Sequence, residues 1–273
     1  MAFGGDNAES YYDEGLTASM RGDLARAVQC LEQAIHLDRS FVPAFHLLAK
    51  CYMRMGHGER AARILDSVVR ERPDQTAARL NLAAALLAMG DIERAEHHFT
   101  QIATADPANG RALLGLSRVR MQQGNWRGAV NMAQAAERCA GPGIAVLLTL
   151  GRAAKPAGDL ELATKALEEA DALLEKSVEL NPDQPEGYYL RGEVNFLMDK
   201  LGTALEHFRR AENRAERGKT YTAFGETFFY VDVLAKQGLC LQRLGRNGPA
   251  KEIGIRIAEI DPGHKIGQAL RDL

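Results

Sequence analysis

Aromatic residues make up only 6% of this 273-residue chain, with one tryptophan, and prolines number nine. An all-β chain would draw on aromatic and β-branched residues and on turn chemistry, so the scarcity points away from that class. No run of about 18 apolar residues is present. The longest candidate, Ile144 to Leu150, is too short to span a bilayer, so no membrane insertion is expected. No apolar h-region precedes the first basic residue, Arg21, which argues against a secretory leader. The four cysteines form no Cys-x-x-Cys pair, a usage that fits a reducing compartment rather than a disulfide framework. An excess of one charge is missing as well. The 34 basic and 36 acidic residues leave a net of −2, so no overall field recruits nucleic acid. The hydrophobic share of 46% and charged share of 26% are ordinary globular values. Length alone would divide such a chain into about two domains. These bounds describe a cytoplasmic, helical protein.

What the chain does have is a period. Gly22, Gly56, Gly90, Gly124 and Gly158 lie 34 residues apart, as do Ala27, Ala61, Ala95, Ala129 and Ala163. Leu31, Leu65, Phe99, Ala133 and Leu167 keep the same spacing. Chance does not hold three residue classes in phase over five periods. In the second period Phe45, Leu48, Ala49 and Tyr52 recur at helical spacing, and Met55-Gly56-His57-Gly58 then breaks the helix. Ala61, Leu65 and Val68 form a second apolar stripe, closed by Pro73-Asp74. Two short amphipathic helices joined by a glycine turn cannot bury both stripes alone. Small residues such as Ala49 and Ala61 let the two backbones approach, and the remaining apolar face needs a neighbouring repeat.

These features resemble the tetratricopeptide repeat family, whose signature is followed by Phe45, Leu48, Ala49, Tyr52, Gly56, Ala61, Leu65 and Pro73. The resemblance covers roughly residues 8–264 and implies an all-α fold, a right-handed superhelical solenoid of about seven helix-turn-helix repeats. The repeats are expected at about 8–41, 42–75, 76–109, 110–143, 144–184, 185–230 and 231–264. A disordered lead over 1–7 would precede them and a short capping helix over 265–273 would follow. Three internal departures stand out. Arg120 replaces a large apolar residue in the fourth repeat, Asp199 replaces the turn glycine in the sixth, and the period itself lengthens after Gly158.

The spacing from Gly158 to Asp199 is 41 residues and from Asp199 to Gly245 it is 46. The first excess is about two helical turns. It falls in Leu160 to Leu180, which reads as one uninterrupted helix. The second lies between Arg217 and Val231. There Thr220 or Thr222 can cap a helix whose stripe runs through Phe224, Phe228, Val231, Leu234 and Gly238. This second insertion concentrates Tyr221, Phe224, Phe228, Phe229 and Tyr230. They either fill the bend between two overlong helices or, through Tyr221, Phe228, Phe229 and Tyr230, form an exposed edge for homodimerisation or partner docking.

Chemistry is not encoded in any familiar pattern. There is no phosphate-binding Gly-x-x-x-x-Gly-Lys-Ser/Thr, no Gly-x-Gly-x-x-Gly after a strand and no His-Glu-x-x-His. Adjacent His97 and His98 diverge by about 100° on a helix and do not suit one metal. Cys30, Cys51, Cys139 and Cys240 read as small apolar packing residues. No catalytic residue, cofactor or metal is expected. The resemblance implies a non-enzymatic scaffold or adaptor that binds a peptide or protein segment in a concave groove. The alternative it leaves open is a substrate-recruiting region of a larger enzyme, such as a glycosyl- or sulfotransferase.

In the tetratricopeptide repeat family the groove is lined by the first helix of each repeat. Carried over, the lining is His46, Lys50 and Arg54, then Asn81 and Ala84, then Arg111, Leu114, Arg118 and Gln122, then Arg152 and Lys155. These positive charges have almost no acidic counterpart, whereas Glu186 and Glu193 mark the sixth repeat as acidic. An acidic segment or a C-terminal carboxylate is the expected ligand, gripped by arginine forks. The other reading is a set of charges solvating a wet face. The co-chaperone members of the family use a lysine, asparagine, asparagine, lysine and arginine clamp. Here Asn81 matches outright and Arg111 conservatively, while His46, Lys50 and Gly115 depart. A chaperone tail is therefore not the expected ligand.

Overall fold

The computed structural model describes residues 7–273. It divides into two compact units, at Ala140 and Gly141. The first unit holds α1 (Ala8–Met20), α2 (Leu24–Leu37), α3 (Val42–Arg54), α4 (Gly58–Glu71), α5 (Thr76–Ala88), α6 (Ile92–Ala105), α7 (Gly110–Gln122) and α8 (Trp126–Ala140). The second holds α9 (Ile144–Ala157), α10 (Leu160–Leu180), α11 (Pro185–Leu197), α12 (Leu201–Glu212), the strands β1 (Thr220–Ala223) and β2 (Glu226–Phe229), α13 (Tyr230–Arg243), α14 (Asn247–Ile260) and α15 (Lys265–Arg271). Among the described residues the fold is all-α apart from that hairpin. The expected lead over 1–7 falls on residues outside those described except for Asn7, whose Oδ1 caps α1 by accepting from Ser10 N–H at 2.8 Å.

Within each pair the turn is set by one backbone device. Gly22, Gly56, Gly90, Gly124, Gly158 and Gly245 have φ between 72° and 86°. The next residue's N–H reaches five residues back, as in His57 to the Tyr52 carbonyl at 2.8 Å and Asn125 to the Arg120 carbonyl at 2.8 Å. That bond closes a left-handed helix terminus, which glycine adopts without a Cβ clash. Asp199 makes the same turn at φ 61°. Lys155 Nζ holds its carboxylate at 2.7 Å from one side and Arg243 contacts it from the other. The second helices α4, α6, α10 and α14 each end two residues before Pro73, Pro107, Pro182 and Pro262.

Core positions follow the period. Ala27, Ala61, Ala95, Ala129, Ala163, Ala204 and Ala250 are buried, as are Leu31, Leu65, Phe99, Ala133, Leu167 and Phe208. First helices also lean on one another in the first unit, where α1 touches α3, α3 touches α5 and α5 touches α7. The Arg54 guanidinium donates to the Ser19 carbonyl at 2.9 Å, adding to the bond that this carbonyl accepts from Gly22 N–H at the end of α1. Arg120 is also accounted for. Its guanidinium lies 2.7 Å from Glu96, whose other oxygen accepts from Gln123 at 2.6 Å, so an ion pair stands where Tyr52 of the second repeat bonds Glu32. Of the cysteines, Cys30, Cys51 and Cys240 are buried, whereas Cys139, against the expectation of a packing residue, is exposed near the end of α8.

The uninterrupted helix expected over Leu160 to Leu180 is α10. The second insertion is not the helix that was expected. Residues 220–229 form an antiparallel hairpin pairing Tyr221 with Phe228 and Thr222 with Thr227, and α13 starts only at Tyr230. Phe224 at φ 53° and Gly225 at φ 79° make its two-residue turn. Two positive φ values match the right-handed twist of the flanking strands. The stripe that suggested a helix is overruled by period-2 threonines and aromatics around Phe-Gly.

Three histidines give the fold a pH dependence. Burial lowers the pKa of His46, His98 and His207, and the Nδ1 atoms of His98 and His207 are buried without a partner. A histidine with a depressed folded pKa binds fewer protons folded than unfolded. Its contribution is complete above the unfolded value near about 6.5 and is lost as pH falls through the folded one. Thermal melts followed by circular dichroism should shift down between about pH 7.5 and about pH 5. His207→Asn should flatten the drop; an unchanged slope would count against His207 as a contributor.

Candidate functional site

Counting back six residues from each turn position gives one row along the first helices: Lys50, Ala84 and Arg118 in the first unit, Arg152 and Glu193 in the second. In the first unit α3, α5 and α7 carry most of the anticipated lining. Lys50 and Arg111 are exposed, and neither enters an ion pair among the described residues. Arg118 is half-buried, seven residues from Arg111 and so on the same side of α7. His46 is half-buried, with Nδ1 3.0 Å from Asn81 Nδ2. Burial keeps that imidazole neutral at lower pH than usual. Arg54 is tied back to Ser19, and Gln122 makes a long 3.5 Å contact to the Leu87 carbonyl. The open basic groups of this face are Lys50 and Arg111, while His46, Asn81 and Arg54 stiffen it.

The second unit corrects the charge reading. Arg152 and Lys155 do have acidic counterparts. Arg152 Nη2 lies 3.2 Å from Glu193 Oε2 and Nη1 lies 3.0 Å from Glu226 Oε1. Glu193 Oε1 in turn is 2.7 Å from Lys236 Nζ on α13. Lys155 and Arg243 share Asp199. Burial alone would lower the Arg152 pKa, but the charges of Glu226 and Glu193 overcome it and raise it. Compensation therefore comes from residues distant in sequence, which a helix-by-helix count does not see.

The aromatic insertion is divided by the hairpin. Tyr221 and Phe228 are buried, against the expectation of an exposed edge, because strand alternation turns both inward. Phe228 stacks on Tyr189 of α11 at 3.9 Å between centroids, and Tyr221 stacks on Phe228 at 5.3 Å. Burial and the nearby Glu193 and Asp232 charges raise the Tyr189 pKa. Tyr230 is half-buried, its hydroxyl 3.1 Å from Glu212. Phe229 remains 40% exposed, as does Phe224 at the tip. Tyr189, Glu226 and Lys236 were not among the anticipated residues. The one signal, and for Glu226 alone, was the β-favouring composition of 220–229.

Stacked helix pairs with a positive-φ turn at a fixed position define an α-helical repeat protein. The tetratricopeptide repeat family model matches residues 18–86, 58–98 and 86–141, and helix pairs of the same kind continue through the second unit. The chain thus carries tetratricopeptide repeats over residues 18–141. It is similar to a tetratricopeptide repeat protein from Parabacteroides merdae ATCC 43184, at 14% identity and a TM-score of 0.63, covering 97% of each chain. Similarity to the APC/C hetero-tetramer Cut9–Hcn1 runs at 18% identity and a TM-score of 0.64, covering 94% of this chain and 47% of that one. MamA from Desulfovibrio magneticus RS-1 is similar at 20% identity and a TM-score of 0.53, covering 64% of this chain and 98% of that one. At these identities the likeness is one of fold. A curated relative, an FK506-binding protein-like protein of Mus musculus, is 27% identical over 123 residues, 42% of this chain. The chain spans 35% of that relative's length. No helix among the described residues is long and apolar enough to cross a membrane.

Proposed function

We propose that the chain is a non-enzymatic protein-interaction scaffold, and that the first-helix face of its first unit takes an acidic or carboxylate-terminated segment. The observation that carries this reading is the pair Lys50 and Arg111, open basic groups on the same face as Arg118, His46 and Asn81. An exposed guanidinium offers two parallel donors to a carboxylate, and a lysine on another helix adds a point charge for a further acidic group of the segment. The corresponding positions Arg152 and Lys155 of the second unit already hold carboxylates of the chain itself. They illustrate the chemistry that the first unit leaves open.

The test is fluorescence anisotropy of a labelled oligoglutamate peptide with a free C-terminus. Binding should weaken at least about tenfold between about 50 mM and about 500 mM NaCl, because exposed charges are screened. Lys50→Glu with Arg111→Glu should weaken it by at least the same factor while leaving the circular dichroism melt unchanged. Anisotropy indifferent to salt and to the double reversal would overturn this assignment of the face.

A further inference from the structure

The β1–β2 hairpin occupies the first-helix face of the second unit. Strand β1 packs on α11 and β2 packs on α13. Alternate residues of a strand point the same way, so Glu226 and Phe228 both face the helices while Thr227 and Phe229 are exposed. Glu226 places a carboxylate on Arg152 at 3.0 Å. Two residues on, Phe228 lies flat on Tyr189, at 3.9 Å and 12° between planes, and is almost fully buried. An extended segment anchored by a charge and an aromatic at alternate positions is the way a docked peptide strand gains specificity.

Charge shows what the face requires. With the hairpin in place, the cations Arg152 and Lys236 meet the carboxylates Glu193 and Glu226, and the group is neutral. Without it, Arg152 keeps only Glu193, which Lys236 already shares, and the Tyr189 ring loses the cover of Phe228. An enclosed, uncompensated cation demands an anion. The hairpin is also held under strain: Phe224, a bulky residue, sits at φ 53° in its turn with its ring 40% exposed. Left-handed backbone at an aromatic residue is uncommon and raises the energy of the folded hairpin.

We infer that the surface formed by Arg152, Tyr189 and Lys236 is a recognition site for an extended acidic segment of the form Glu-x-aromatic, filled in cis by Glu226 and Phe228. A partner segment of that chemistry gains the site by displacing the hairpin. This inference rests on the reading of the first helices as the binding face, and it adds a second, self-occupied site with its own ligand class.

The probe is a fluorescein-labelled peptide of residues 220–229, read by anisotropy. Three full-length proteins are compared: wild type, Glu226→Lys, and a variant in which a Gly-Ser linker replaces 219–228. The probe should bind both variants at least about tenfold more tightly than wild type, and a probe carrying glutamine for glutamate should lose that gain. Absence of binding to Glu226→Lys, provided it melts cooperatively, would overturn the inference whether or not the linker variant folds. Hydrogen exchange on wild type gives an independent reading. Excess unlabelled peptide should accelerate exchange of the cross-strand amides of Tyr221 and Phe228, and unaltered protection would refute displacement. A wild-type dimer in sedimentation that vanishes in the linker variant would mean exchange of hairpins between copies, which overturns occupancy in cis. Lys50→Glu with Arg111→Glu should leave hairpin-peptide binding intact. If oligoglutamate still binds the first unit while the hairpin peptide binds nowhere, only the present inference fails; loss of both removes the reading beneath it.

Discussion

Gly192→Leu is expected to destabilise the protein by about 3 kcal/mol through overpacking. Seven residues before each turn position the chain carries only small residues: Gly15, Ala49, Ala83, Ser117, Gly151, Gly192 and Gly238. All are buried. At Gly192 even a methyl group would stand 2.5 Å from Cε1 of Phe208. Phe208 has no room to retreat, since it is fully buried and its ring lies against Tyr189. Urea denaturation followed by circular dichroism should place the midpoint of Gly192→Leu well below wild type. Gly202→Ala, whose added carbon meets nothing within 4 Å, should be neutral or slightly stabilising. Equal midpoints for Gly192→Leu and wild type would remove Gly192 from the close helix contact.

Glu193→Leu should cost about 3 kcal/mol for a different reason, because it strands Arg152 and Lys236 away from full solvation. Glu193 is 7% exposed, and the side chains of Arg152 and Lys236 are 22% and 26% exposed. Glu226 still holds one side of Arg152, which keeps the loss at the lower end of what breaking a buried pair costs. Replacing all four members, as Arg152→Met, Glu193→Leu, Glu226→Gln and Lys236→Met, should recover most of the stability, since no charge is left unpaired and buried ion networks rarely outperform apolar packing. A quadruple variant as unstable as Glu193→Leu alone would show that the residues pack through shape rather than charge.

The helices were legible because their physics is local. A glycine every 34 residues, small residues before it and alanine after it dictate a turn and a close helix pair, and Leu160 to Leu180 keeps one stripe through its extra turns. The hairpin was missed because Phe224, Phe228 and Val231 also fit a helical stripe. Only the β-favouring threonines beside Phe-Gly argued otherwise. The pairing of Arg152 with Glu193 and of Lys155 with Asp199 spans 41 and 44 residues. No periodic pattern announces such a partner. The anticipated residues do lie on the first helices α3, α5, α7 and α9, whereas their state of charge depended on tertiary partners.

The ion pair between Arg152 and Glu226 passes over the whole of α11 and α12, joining α9 to the segment just before α13. Asp199 likewise couples Lys155 on α9 with Arg243 on α13. Repeat proteins ordinarily behave as one-dimensional arrays in which each unit senses only its immediate neighbours and the ends fray first. Links to the second neighbour lengthen the range of that interaction. They should make α9 to α13 melt as one cooperative block, and they raise the mean sequence separation of its contacts, which slows its formation. Excising a single repeat here would sever bonds on both sides of the cut, so this stretch has given up the freedom to gain or lose units that repetition usually confers.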